Sequence, residues 1–159
     1  MTLSSETILR LQFLSRVVKR ELDHLLITRN RLFKVEFNEL VANKLEQDVE
    51  LSERLDAFVT RFSRLQDTLG DKLLPQLLIA LNEITRTQVD NLDKAERLGW
   101  IKSVDQWLEI RQLRNQMVHE YIEDTAILVN AINSGQKFVD DLQQTAIKML
   151  DEINSRGWL

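Results

Sequence analysis

Residues 4–26 read SSETILRLQFLSRVVKRELDHLL. Ile8, Leu11, Leu14, Val18, Leu22 and Leu25 fall three or four positions apart. At about 3.6 residues per turn that spacing gathers them on one helix face. Ser4 or Ser5 is placed to cap this helix, because a serine oxygen accepts from the open N–H groups of a first turn. Thr28 to Phe37 breaks the pattern and reads as a connection.

The same periodicity continues outward. A second helix is expected to start between Asn38 and Asp48 and to run through Leu51, Leu55, Phe58, Phe62, Leu65 and Leu69. Gly70 and Pro75 predict a break there and a new start at Pro75, with a kinked continuous helix as the alternative. The next helix spans about Pro75 to Leu98, with Leu78, Leu81, Ile84, Val89 and Leu92 facing inward and Gly99 as its C-cap. Ser103 and Gln106 fit a capping box that opens a helix from Val104 to about Tyr121. Asp124 then caps a last helix from Thr125 to about Asn154. Ile127, Leu128, Ala131, Phe138, Leu142, Ile147, Leu150 and Ile153 form its core side. Gly135 inside it marks a close helix crossing or a small break. No repeat or linker divides the chain. The expectation is one all-α domain over residues 1–159, an antiparallel bundle of four to six helices.

Composition agrees. The 159 residues include four Gly and one Pro, too few for the turns of an all-β fold or for a glycine-rich phosphate loop. With no Cys, disulfides, thiolate zinc sites, iron–sulfur clusters and a cysteine nucleophile are excluded. No cluster of His and carboxylates has metal-ligand spacing, so neither a metal nor another cofactor is expected. Glu6, Arg10 and Arg16 interrupt any signal-like run. The longest apolar run, Leu77 to Leu81, is far below the roughly 18 residues of a spanning helix. A soluble cytoplasmic protein is expected.

One helix carries an oddity. In residues 103–121, SVDQWLEIRQLRNQMVHEY, the residues Trp107, Ile110, Met117, Val118 and Tyr121 all lie within roughly 60° of Arg114 around the axis. An arginine that keeps its charge thus sits in the most apolar stripe, and its donors need partners. An acid on another helix, a seam between two copies of the chain, or a bound phosphate would each answer it. Asn115 and His119 share a face four residues apart. A histidine can donate or accept a proton near neutral pH, while an arginine steadies charge on a phosphorus centre. Such a pair suits phosphodiester cleavage, although a lone helical histidine is more often structural. His24, between acids, reads as solvated or at the core edge.

Arg114-Asn115-Gln116-Met117-Val118-His119-Glu120-Tyr121 has the form R-N-x-x-x-H-x-Y. It resembles the signature of the HEPN superfamily in its HepT-like branch, whose core motif is an arginine, four to six residues and a histidine. Glu123-Asp124 leading into a last long helix is similar too. The resemblance extends from Leu51 to the C-terminus. It implies a homodimer whose two motifs face each other across one cleft. It also implies a metal-independent RNA endonuclease, the toxin of a HEPN/MNT (type VII) toxin–antitoxin pair. The partner it implies is a minimal nucleotidyltransferase antitoxin that silences the toxin by AMP transfer to the motif tyrosine. Carried over, Arg114 and His119 are catalytic, Asn115 supports the cleft and Tyr121 receives AMP. The only tyrosine of the chain is Tyr121, and its ordinary reading is an amphipathic core-edge residue.

Other features oppose this. A net charge of −4 gives no general attraction for RNA. Arg111 with Arg114, or Arg61 with Arg64, would have to supply it locally. No aromatic platform interleaved with basic residues is visible. Neither DNA nor a membrane is expected as a partner. Two readings compete with the nuclease. One is a non-catalytic helical subunit that binds a nucleotidyltransferase and its substrate. The other is a plain interaction module in which Arg114 forms a structural ion pair.

Overall fold

The structure is a computed structural model that describes residues 3–119 and 124–159, without the side chain of His119. Every regular element among the described residues is helical. Helix α1 spans Ser5–Leu32, capped by Ser4, whose hydroxyl accepts from the Thr7 N–H at 3.2 Å. It runs beyond the expected end, because Thr28 and Leu32 continue the buried stripe. A single turn, α2, covers Glu39–Ala42, and α3 covers Val49–Asp67; Asn38 and Asp48 cap them.

Of the two readings at Gly70, the break gives way to the alternative, a helix that continues through it. After Asp67 the helix widens into a π-helical turn, Thr68–Leu73, and resumes as α4, Leu74–Ala80. The wider turn leaves Pro75 in the first turn of α4, where its missing N–H forfeits little. Gly70 lies against the Trp107 indole, which a Cβ would meet at 3.1 Å.

The helix expected from Pro75 to Leu98 is two helices. The chain turns at Asn82, with φ of 60°, and restarts as α5, Gln88–Arg97. Asparagine tolerates the left-handed region better than most residues. Thr87 and Asp90 form a reciprocal capping box that fixes the restart. Ile84 and Val89 consequently face solvent, at 65% and 53% exposure, rather than the core.

The remaining local signals hold. Gly99 terminates α5 at φ 81°, with Trp100 N–H donating to the Ala95 carbonyl at 2.9 Å. Helix α6 spans Val104–His119, with Ser103 Oγ accepting from Gln106 N–H at 3.0 Å, which is the forward half of the expected capping box, without the return bond from Gln106 among the described residues. The Asp124 carboxylate caps α7, Thr125–Ser155, by accepting from Ala126 and Ile127. On α7 the buried stripe includes Leu128, Ala131, Leu142 and Ile153, as expected, but also Ile132, Val139 and Met149, while Ile127 and Ile147 are exposed. Gly135 marks a close crossing: a Cβ there would run into Met117 Cε of α6.

Helix α1 packs antiparallel on α3, since Arg61 meets Thr28 while Thr68 meets Glu21. Helix α6 runs antiparallel to α7, with Met117 at Gly135 and Lys102 paired to Asp141 at 2.6 Å. One contiguous core joins these elements, with Phe58, Phe62 and Leu65 of α3 fully buried near its centre. No helix among the described residues is long and apolar enough to cross a membrane.

Candidate functional site

Arg114 sits on the boundary of the core. Trp107, Ile110 and Met117 of its stripe are buried, but Val118 is 55% exposed and the Arg114 side chain 19%. Its charge is answered by Asp67, the last residue of α3. Nη1 and Nη2 donate to the two carboxylate oxygens at 2.7 and 3.1 Å, a two-pronged pair. Nη1 also donates to Gln66 Oε1 at 3.2 Å, and the fully buried Gln66 donates in turn to the Trp107 carbonyl at 3.0 Å. Of the three answers the sequence left open, the acid on another helix is the one present within a single chain.

This arrangement pins the guanidinium without exhausting it. Three of its five N–H donors are engaged. The Nε–H and the outer Nη2–H, which share one edge of the planar group, take no partner among the described residues. That edge has the fork geometry that fits a phosphate. One helical turn earlier, Arg111 bonds Asp71 at 3.2 Å and Gln88 at 2.8 Å. Two arginines of α6 therefore clamp the end of α3 and the π-helical turn.

The other motif residues divide. Asn115 is exposed next to Arg114 on α6. His119 ends α6, five residues beyond Arg114, and its side chain lies outside the described set. Tyr121 lies outside the described residues. His24 is exposed on α1, and its carbonyl accepts from Arg61 Nη1 at 3.3 Å. No group of three or more His, Asp or Glu among the described residues is placed to hold a metal ion.

An open groove of about 710 Å³ runs beside this site, between Glu21 of α1, Arg64 and Asp67 of α3, Lys72 of the π-helical turn and Val118 of α6. Glu21 is anchored there by the Thr68 hydroxyl, which donates to Oε1 at 3.0 Å, while Oε2 is buried without a partner among the described residues. Burial raises its carboxyl above the ordinary glutamate range, against the Thr68 bond and the nearby Arg64 and Lys72, which lower it. An acid raised in the folded state favours folding when protonated and opposes it when charged. Glu21→Gln is therefore expected to raise stability at neutral pH. The gain should shrink as pH falls through the folded value and vanish below 4.5, where the Glu21 carboxyl is protonated in the folded and the unfolded chain alike. Urea melts of both proteins at pH 4 and pH 7 check this; an equal difference at the two values contradicts it.

Sequence reasoning missed Asp67 and Gln66, the partners of Arg114, because nothing local marks a residue that matters through a neighbouring helix. It also missed Phe13, which lies 47% exposed on α1 with the Arg10 guanidinium 5.7 Å from its ring centre. The hint was there in the sequence, since Phe13 stands between Arg10 and Arg16. No family model matches the chain, and no curated protein or solved structure matches it at a significant level.

Proposed function

We propose that this chain is a metal-independent RNA endonuclease of the HEPN type, working as a homodimer and serving as the toxin of a toxin–antitoxin pair. The observation that carries the reading is the pinned, part-exposed Arg114. It stands five residues before His119 on one helix, with a phosphate-sized fork of donors to spare. The R-N-x-x-x-H-x-Y signature supports it.

In this mechanism the ribose 2′-OH attacks the adjacent phosphorus as one His119 removes its proton. The P–O5′ bond breaks, and the His119 of the second copy protonates the departing 5′ oxygen. The products are a cyclic 2′,3′-phosphate and a 5′-hydroxyl end. Arg114 steadies the extra negative charge on the five-coordinate phosphorus, and Asp67 with Gln66 holds it in place. One motif histidine per chain is a reason for two copies, since acid and base are then separate groups. A minimal nucleotidyltransferase silences the site by moving AMP from ATP to the Tyr121 hydroxyl, releasing pyrophosphate, which sets a bulky anion beside the arginines.

The Asp67 pair favours one second reading, in which Arg114 is only a structural cation joining α6 to α3. Incubation of purified protein with total RNA in EDTA, beside folded His119→Ala, separates the two. The nuclease reading expects cleavage by the wild type alone, from a species of twice the chain mass in light scattering. A monomer at micromolar concentration, or equal behaviour of both proteins, refutes it.

A further inference from the structure

The groove beside Asp67 does not stop at Glu21. A second groove of about 380 Å³ shares Glu21 and Arg64 with it and continues along α1 past Arg20, Arg16 and Phe13. The two grooves adjoin at Glu21 and Arg64, and together they line a furrow that extends from Phe13 of α1 to Val118, one residue before His119. Its arginines are ordered: Arg16 and Arg20 follow at a four-residue interval, a step of about 6 Å along one face, with the His24 ring at the next such step. Arg64 stands opposite them on α3.

The furrow holds more cations than free acids, and Glu21 is the acid that faces Arg64 from α1. Among the described residues, no carboxylate lies within ion-pair distance of Arg16, Arg20 or Arg64. The acids at its inner end are neutralised from the other side, Asp67 by Arg114 and Asp71 by Arg111. Helix α1 carries six Lys and Arg against three acids, whereas the whole chain has 21 against 25. Helix α1 is thus net positive in a chain that is acidic overall.

We propose that this furrow is the track for a single-stranded RNA, with the backbone phosphates on Arg16, Arg20 and Arg64 and a base stacked on Phe13. A row of guanidinium groups at regular steps suits a polymer of phosphates. The exposed aromatic ring among them is what single strands use and a duplex does not. An acidic peptide would use the cations but has no use for a ring at the furrow's outer end. The choice of RNA rests on the ribonuclease reading, but the furrow is tested by binding, not by cleavage.

The test measures anisotropy of a labelled 20-nucleotide RNA of mixed sequence, in EDTA, across a salt series. His119→Ala is the background, so that the strand stays intact. Arg16→Glu/Arg20→Glu is compared with Lys137→Glu/Lys148→Glu, which makes the same charge change on exposed positions of α7. Circular dichroism confirms that each is folded. The furrow variant is expected to bind about tenfold or more weakly, with the salt slope reduced by roughly 1.4, at about 0.7 for each phosphate no longer neutralised. The α7 variant should stay within twofold of the background. Equal losses in both variants, no loss in either, or no RNA binding at all overturns the proposal, as does an equal affinity for poly-glutamate. Loss confined to the furrow variant supports it even where the wild type cuts nothing, an outcome that refutes the nuclease and not the track.

Discussion

Arg114→Lys should lower RNA cleavage by roughly 100-fold or more while costing about 1 kcal/mol or less of stability. The two numbers come from different parts of the side chain. For folding, Arg114 must answer Asp67, and a lysine ammonium can still do so. The pair is part-exposed, 19% on the arginine and 44% on the aspartate, so solvent screens it and replacement of one cation by another changes little. For catalysis, Arg114 must bind Asp67 and phosphate at once. A planar guanidinium does both with separate edges; an ammonium has no second edge. If Arg114 is only the link between α6 and α3, Lys leaves all functions intact, and Arg114→Ala destabilises the fold. Asp67→Asn gives the complementary measurement. It keeps an acceptor but removes the charge that pins the arginine, so cleavage is expected to fall less than in Arg114→Lys. Melting temperatures and cleavage rates of the three variants decide between the roles. A normal rate in Arg114→Lys ends the catalytic assignment.

The limits of the sequence as a guide follow from the range of the interactions. Caps are local, so Ser4, Gly99, Ser103 and Asp124 could be placed from a few neighbouring residues. The turn at Asn82 contains no Gly or Pro. Its signal is an asparagine followed by the Thr87 box, which the apolar spacing of Ile84 and Val89 masked. Gly70 and Pro75 are both helix breakers by propensity, yet a π-helical turn takes them into one rod, with the Trp107 ring filling the space beside Gly70. At the site, the stripe around Arg114 showed that a partner was needed, but which acid it was depended on how α3 crosses α6. The same holds for the furrow: Arg16 and Arg64 are 48 positions apart in the chain and meet only because α1 and α3 run antiparallel.

Phe58→Ala is expected to have the largest effect on stability, a loss of about 3–5 kcal/mol. Phe58 is fully buried, meets the Phe33 ring edge-on at 5.4 Å and the Phe62 ring at 5.9 Å, and lies close to Gly135 at the crossing of α7. Truncation therefore opens a cavity where α3, α7 and the end of α1 converge. The neighbouring rings and the crossing helices are too constrained to collapse into it, so the lost transfer energy is compounded by the void. For a domain of this size the melting temperature should drop by roughly 10 °C, at about 2–4 °C per kcal/mol. Ile84→Ala provides the contrast. The apolar spacing placed Ile84 inward, but it stands 65% exposed beyond the turn at Asn82, so its truncation should change stability by no more than about 0.5 kcal/mol. Chemical denaturation of the two variants beside the wild type measures both. A loss of several kcal/mol in Ile84→Ala would restore the uninterrupted helix from Pro75 to Leu98, and a mild Phe58→Ala would remove the three-ring cluster from the centre of the core.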